Sequence, residues 1–150
     1  MPDRPNRESP DFRLLNHQAD GEGTMIDRLD HLVLTVTDIG RTLDFYVRGL
    51  GMVEEVLGAG RRALRFGRQK INLHPANEEA ILPRAARPGP GTADICLIAA
   101  LPLAEVEKHL REEGFAIEGG PVSRTGATGP IRSIYLRDPD GNLVEVSEYV

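Results

Sequence analysis

The strongest constraint on this chain is that one order of elements is written twice. His31-Leu-Val-Leu-Thr-Val36 alternates and is rich in β-branched residues, as a strand requires. Thr37 or Asp38 then offers an N-cap, and Ile39, Leu43, Phe45 or Tyr46 and Leu50 recur at helical spacing until Gly49 and Gly51 end the run. Three short strand-like runs follow: Met52 to Leu57, Arg61 to Phe66 and Lys70 to His74. After a Pro/Gly-rich stretch from Pro83 to Gly91 the order restarts. Thr92 to Ala99 reads as a strand, and Pro102 to Glu113 as an amphipathic helix with Leu103, Val106 and Leu110 on one side. Strand-like runs around Phe115 to Ile117 or Val122, Ile131 to Leu136, and Asn142 to Tyr149 complete the second copy. Two copies of a βαβββ unit predict an α+β domain whose paired modules share a core and enclose a cleft about a pseudo-twofold axis.

The boundaries follow from the same pattern. Module one is expected over about 27–82, a linker over about 83–91 and module two over 92–150, all within one domain spanning 25–150. Residues 1–24, with Pro2, Pro5 and Pro10 and little hydrophobic periodicity, read as a flexible tail.

Composition limits what the cleft can hold. The 150 residues carry 18 Lys and Arg against 23 Asp and Glu, a net charge of −5, so there is no broad basic field for a phosphate backbone. Nucleic acid is excluded as an expected partner. A single cysteine, Cys96, can form no internal disulfide and supplies no thiolate zinc cluster, which leaves oxygen and nitrogen ligands. No apolar run reaches the length of a membrane span and the N-terminus lacks a signal-peptide pattern, so the expectation is a cytoplasmic protein with no membrane partner.

Side chains alternate across a strand, so residues two apart share a face. Leu32, Leu34 and Val36 form the face a helix should cover, which leaves His31 on the other. By the same parity Asp94 opposes Ile95 and Leu97, His74 opposes Ile71 and Leu73, and Glu145 opposes Val144 and Val146. Matching the two copies pairs His31 with Asp94 and His74 with Glu145. Any one of these alone is an ordinary strand-edge polar residue. Two imidazoles and two carboxylates converging on one helix-free face have the chemistry to hold one divalent ion of the Mn, Fe, Co, Ni, Zn or Mg class.

These residues carry a family resemblance. The chain from about Ile26 to Val150 resembles the vicinal-oxygen-chelate superfamily, which includes glyoxalase I, the extradiol dioxygenases and the fosfomycin and bleomycin resistance proteins. Leu29-Asp-His-Leu-Val-Leu-Thr-Val36, Phe45-Tyr46 and Gly49-Leu-Gly-Met52 look like its opening module, and Asp138-Pro-Asp-Gly-Asn-Leu-Val-Glu145 like its closing strand. Gln69-Lys-Ile-Asn-Leu-His74, Asp94-Ile-Cys-Leu-Ile98, Gly120-Pro-Val-Ser-Arg-Thr-Gly126 and Gly129-Pro-Ile131 are similar to the glyoxalase domain-containing protein 5 group. The resemblance implies two paired βαβββ modules forming a curled mixed sheet around a metal cavity, ligand roles for His31, His74 and Glu145 with Asp94 as the fourth, and a homodimer. Asp94 departs from the histidine that many members have there, so it is read as a ligand, a holder of bound water, or a base.

Three functions follow as expectations. With four protein ligands, an octahedral ion keeps two positions open for neighbouring oxygens of a small substrate, which suits glyoxalase-like lyase or isomerase chemistry with Glu145 or Asp94 moving a proton. With His31, His74 and Glu145 alone, an iron-dependent extradiol-type dioxygenase becomes possible. The third reading is a non-catalytic, bleomycin-resistance-like binding protein. Arg124, Asn72 and Tyr135 are candidate substrate-binding residues, Arg124 because a guanidinium suits carboxylate or phosphate. Gly58-Ala-Gly-Arg-Arg-Ala63 is set aside as a dinucleotide fingerprint because a strand should follow it. Asp138-Pro-Asp-Gly141 is read as a hairpin turn rather than a calcium loop.

Overall fold

The computed structural model describes residues 24–78 and 81–150, which fall into two units, Met1–Asp30 and His31–Val150. In the described part of the first, the Thr24 hydroxyl donates to the Ile26 carbonyl at 3.1 Å. The rest of the predicted tail lies outside the described residues.

The second unit contains both copies of the repeat. In chain order it runs β1 (His31–Val36), α1 (Ile39–Leu43, continued as a π-helical turn over Asp44–Gly49), β2 (Val53–Val56), β3 (Arg62–Phe66) and β4 (Gln69–Pro75). It then runs β5 (Asp94–Ile98), α2 (Leu103–Glu112), β6 (Gly119–Thr125), β7 (Pro130–Arg137) and β8 (Leu143–Tyr149). Every predicted element is present within a few residues. The last-but-two strand settles at Gly119–Thr125, beyond the Phe115–Ile117 alternative.

The strands form two four-stranded mixed sheets, ordered β1-β4-β3-β2 and β5-β8-β7-β6, each with one parallel pair. This corrects the expected curled sheet around a metal cavity: the sheets are separate and not closed. The physical reason lies in the connections. Each parallel pair joins the first and last strand of its own module through the helix and two antiparallel strands, so hydrogen bonding is completed within a module.

Local chemistry sets the helices. Asp38 is the N-cap of α1, its carboxylate accepting from the Arg41 amide at 2.9 Å. Beyond Gly49 the chain reverses at Gly51, whose φ of +72° suits glycine. Arg48 forks onto Asp44 at 2.7 and 2.8 Å and reaches the Glu113 carbonyl beyond α2 at 2.8 Å. On the charged face of α2, Lys108 and Glu112 form an ion pair at 3.8 Å among the described residues. His109 Nε2 sits 2.9 Å from the Arg48 carbonyl.

One apolar cluster joins both modules. Leu34, Val36, Leu64, Ile71 and Leu73 from the first sheet pack with Phe45, Tyr46, Leu103 and Leu110 from the helices and Ile134, Leu136, Val144 and Val146 from the second sheet. Of these, Leu34, Val36, Ile71, Leu73, Val144 and Val146 are residues that alternation assigned to the helix side. Burying each aliphatic side chain contributes roughly 1.5–3 kcal/mol, which fixes that face of each sheet inward and leaves the other face without a helix.

Candidate functional site

The helix-free face of the second sheet is a hydrogen-bonded polar surface centred on Glu145. β5 and β8 are parallel and in register, so Asp94 stands beside Leu143 and Cys96 beside Glu145. On the other side β7 places Tyr135 opposite Glu145 and Ser133 opposite Ser147. Glu145 Oε2 accepts from Ser133 Oγ at 2.7 Å, Ser147 Oγ at 3.2 Å and Cys96 Sγ at 3.5 Å. Partial burial pushes the Glu145 carboxyl up, but the donors from Ser133, Tyr135, Cys96 and Ser147 outweigh it and hold the group below its ordinary value. Burial, with Glu145 nearby, pushes the Cys96 thiol up, so it stays a thiol.

Tyr135 connects this cluster to the candidate substrate-binding residue Arg124. Arg124 Nε donates to the Tyr135 hydroxyl at 2.9 Å, Nη1 donates to the Ser123 carbonyl at 3.0 Å, and the guanidinium lies 5.6 Å from the Tyr135 ring centre. Arg124 therefore sits on β6 with part of its donor set engaged, rather than swinging on a free loop. Asp94 is exposed on the same face, two register positions from the Cys96–Glu145 row.

The helix-free face of the first sheet carries the remaining candidates. β1 pairs with β4 so that His31 stands beside Lys70, Val33 beside Asn72, and Thr35 beside His74. His31 and His74 share the predicted face, yet they are four register positions apart, about 13 Å along the strands. Superimposing the parallel pairs of the two modules matches His31–Lys70 with Asp94–Leu143. Two positions on, Glu145 answers to Asn72, and His74 answers to Ser147. This corrects the expected equivalence of His74 and Glu145.

Asn72 is distinctive in its own right. Its Oδ1 is buried without a hydrogen-bond partner, between Ala63 of β3 and Val33 of β1. A buried carbonyl oxygen lacking a donor costs about 1–3 kcal/mol, so such an atom calls for an explanation. Among the described residues, no three His, Cys, Asp or Glu side chains lie close enough together to hold a metal ion. The convergence of four ligands within one chain is therefore not what the fold produces. Two polar faces are instead presented separately, with Val33, Val53 and Ile98 about half exposed on them.

Comparison with known proteins decides the family. The sequence pattern of the Glyoxalase/Bleomycin resistance protein/Dioxygenase superfamily matches residues 28–146. The chain belongs to this superfamily. It is 53% identical over 126 residues to "Virulence protein STM3117" of Salmonella typhimurium, covering 84% of this chain and 87% of that protein. It is likewise 53% identical over 121 residues to "Glyoxalase domain-containing protein RDO1" of Mycosarcoma maydis, covering 81% of this chain and 68% of the relative. The crystal structure of STM3117 superposes with a TM-score of 0.81 over 85% of this chain and all of that one. A lactoylglutathione lyase from Agrobacterium tumefaciens, 23% identical with a TM-score of 0.63 over 82% of this chain and 94% of its own, shares the fold.

Two features of the site escaped the sequence. The Ser133–Ser147 pair, 2.7 Å apart, supports Glu145 from the adjacent strand and from its own, and its signal was an unremarked serine on the helix-free face of each strand. The Asp138 turn is more than a hairpin. Its buried carboxylate accepts from Tyr46 Oη at 2.8 Å, Asn142 Nδ2 at 2.8 Å and the amides of Asp140 and Asn142 at 2.9 and 3.0 Å. It thereby ties α1 of module one to the start of β8, two residues before Glu145. A polar Asp-x-Asp-x-Asn run beside a hydrophobic strand was the available clue.

Proposed function

We propose that this chain is a divalent-metal-dependent enzyme of the vicinal-oxygen-chelate type, performing glyoxalase-like lyase or isomerase chemistry on a small oxygenated substrate. The observation that carries the reading is the pairing of a fixed carboxylate, Glu145, with an orphaned buried carbonyl, Asn72 Oδ1, at equivalent positions of the two modules. His31 and Asp94 occupy the other equivalent pair. The His31 imidazole, the Glu145 carboxylate and the neutral Asn72 amide oxygen suit a hard or borderline divalent ion, so the residues present fit the group. When bound, such an ion supplies Lewis-acid polarisation of a substrate carbonyl.

The chain's own residues divide the work by how firmly each is held. Glu145 is oriented by its donors and acts as a fixed anionic acceptor. Asp94, exposed on the same face, is the group free to take and return a proton between adjacent substrate carbons. Tyr135, between Arg124 and Glu145, presents its hydroxyl beside that carboxylate, and Arg124 keeps donors for an anionic substrate group. The assignment moves the β4 contribution from His74 to Asn72. It also weakens the dioxygenase alternative, whose triad needs His74 beside His31.

The two faces meet across a homodimer in this reading. Arg65 and Lys70, directly opposed on the first face, complement Asp94 and Glu145 on the second, and the exposed Val33, Val53 and Ile98 supply apolar contact. The similarity to the glyoxalase domain-containing protein 5 group stays with the same proposal.

Elemental analysis of untagged protein, with sedimentation to read its state of association, tests it. The expected result is a dimer with near-stoichiometric metal that is lost in His31→Ala and Glu145→Ala, lowered in Asn72→Ala and kept in His74→Ala. A wild-type protein that takes up no metal on reconstitution refutes the enzyme reading in favour of a binding protein. Metal lost in His74→Ala but kept in Asn72→Ala restores the triad, and oxygen uptake with catechols becomes the decisive assay.

A further inference from the structure

His74, displaced from the Asn72 row, has surroundings of its own. It lines a cavity of about 190 Å³ at the far end of β1 and β4, together with Thr35, Glu78, Ile81, Arg84 and Pro88. The floor is sheet, and Ile81, Arg84 and Pro88–Pro90 line the opposite side. The Thr35 hydroxyl, the His74 ring and the Arg84 guanidinium have no hydrogen-bond or ion-pair partner among the described residues. A concave site that gathers a few unengaged polar groups beside apolar residues has the form of a small-ligand pocket. Among the described lining residues Arg84 supplies a guanidinium and Glu78 a carboxylate, and Arg61 lies close enough for its charge to add to burial in depressing His74.

We propose that this cavity binds the carboxylate of a small, partly apolar organic acid. Arg84 is its charge partner, and Thr35 and His74 are its hydrogen-bond donors. Arginine suits the task because its planar donors match the two carboxylate oxygens. Thr35 and His74 share the helix-free face with Val33 and Asn72, two residues back and about 7 Å away. Resting on the proposed function, the substrate of that enzyme carries a carboxylate about this far from the oxygens presented at the Asn72 row.

The test is titration of the full chain with sodium benzoate and with benzamide, its neutral isostere, at constant ionic strength. The readout is the His74 imidazole NMR signal, assigned through His74→Gln. The expected result is a saturable shift with benzoate and at least tenfold weaker binding of benzamide. Arg84→Gln should lose at least tenfold in benzoate affinity, whereas Arg87→Gln, in the same segment but outside the cavity, should bind as the wild type does. A shift that does not saturate, equal binding of the amide, unchanged binding by Arg84→Gln, or equal loss in Arg87→Gln overturns the proposal. Repeating the titration after chelator treatment separates the two readings. Benzoate binding by protein that never takes up metal keeps the cavity and removes the enzyme, and the opposite pattern keeps the enzyme and removes the cavity.

Discussion

Replacing Tyr46 with phenylalanine isolates one hydrogen bond that holds the two modules together. The side chain is fully buried, and its hydroxyl donates to Asp138 Oδ2 at 2.8 Å. Phenylalanine keeps the ring, including its edge-on contact with Phe45 at 4.9 Å, so no cavity opens and the transfer energy of the ring is retained. What is lost is one of four donors to a carboxylate that is itself only 5% exposed. A hydrogen bond to a charged group contributes about 1.5–3 kcal/mol, and three remaining donors keep the carboxylate from being stranded, so the expected loss is about 2 kcal/mol. In a domain of this size that lowers Tm by roughly 8 °C. Urea unfolding of Tyr46→Phe, Asp138→Ala and the double variant measures it directly. The double-mutant cycle should return a coupling of about 2 kcal/mol, because the Tyr46 deletion costs little once Asp138 is gone. A Tyr46→Phe loss below about 0.5 kcal/mol, or additive single effects, refutes the argument that this bond clamps the modules.

Two further outcomes follow from the site. Gly120→Ala should destabilise by at least about 3 kcal/mol in denaturant unfolding, since the residue sits at φ +96° and an added Cβ would lie 2.3 Å from the Ser133 carbonyl oxygen, behind Glu145's main donor. Near-wild-type stability would show that the β6–β7 bulge relaxes freely. Ser133→Ala should raise the Glu145 carboxyl midpoint followed by ¹³C NMR in metal-free protein, because the shortest donor to Oε2 is gone. The folded pKa of Glu145 is depressed, so its stabilising contribution is present above the unfolded value and lost as pH falls through the folded one. The acid limb of unfolding in Ser133→Ala should accordingly lie closer to the ordinary carboxylate range, and an unchanged midpoint would contradict the hydrogen-bond account.

The sequence by itself determined which residues form strands and which face each side chain takes. Alternation in His31–Val36, Asp94–Ile98 and Leu143–Tyr149 places Leu34, Val144 and Val146 in the core, and that parity held throughout. Parity is local, because apolar side chains of one strand must all turn inward together. The repeat was legible for the same reason, as was the Asp38 cap.

Only the tertiary structure decided the register. Shifting β4 against β1 by one residue would expose Ile71 and Leu73, but shifting it by two leaves every side chain on its own face. Nothing in the local pattern distinguishes His74 beside His31 from Lys70 beside His31. That choice is made by the length of β2, β3 and their turns, which carry the chain back to the parallel edge. The same holds for the Asp138 clamp, whose partner Tyr46 lies 92 residues away. The register turned Asn72 from a secondary candidate into the counterpart of Glu145 and gave His74 a separate cavity, because strand pairing is non-local while side-chain alternation is not.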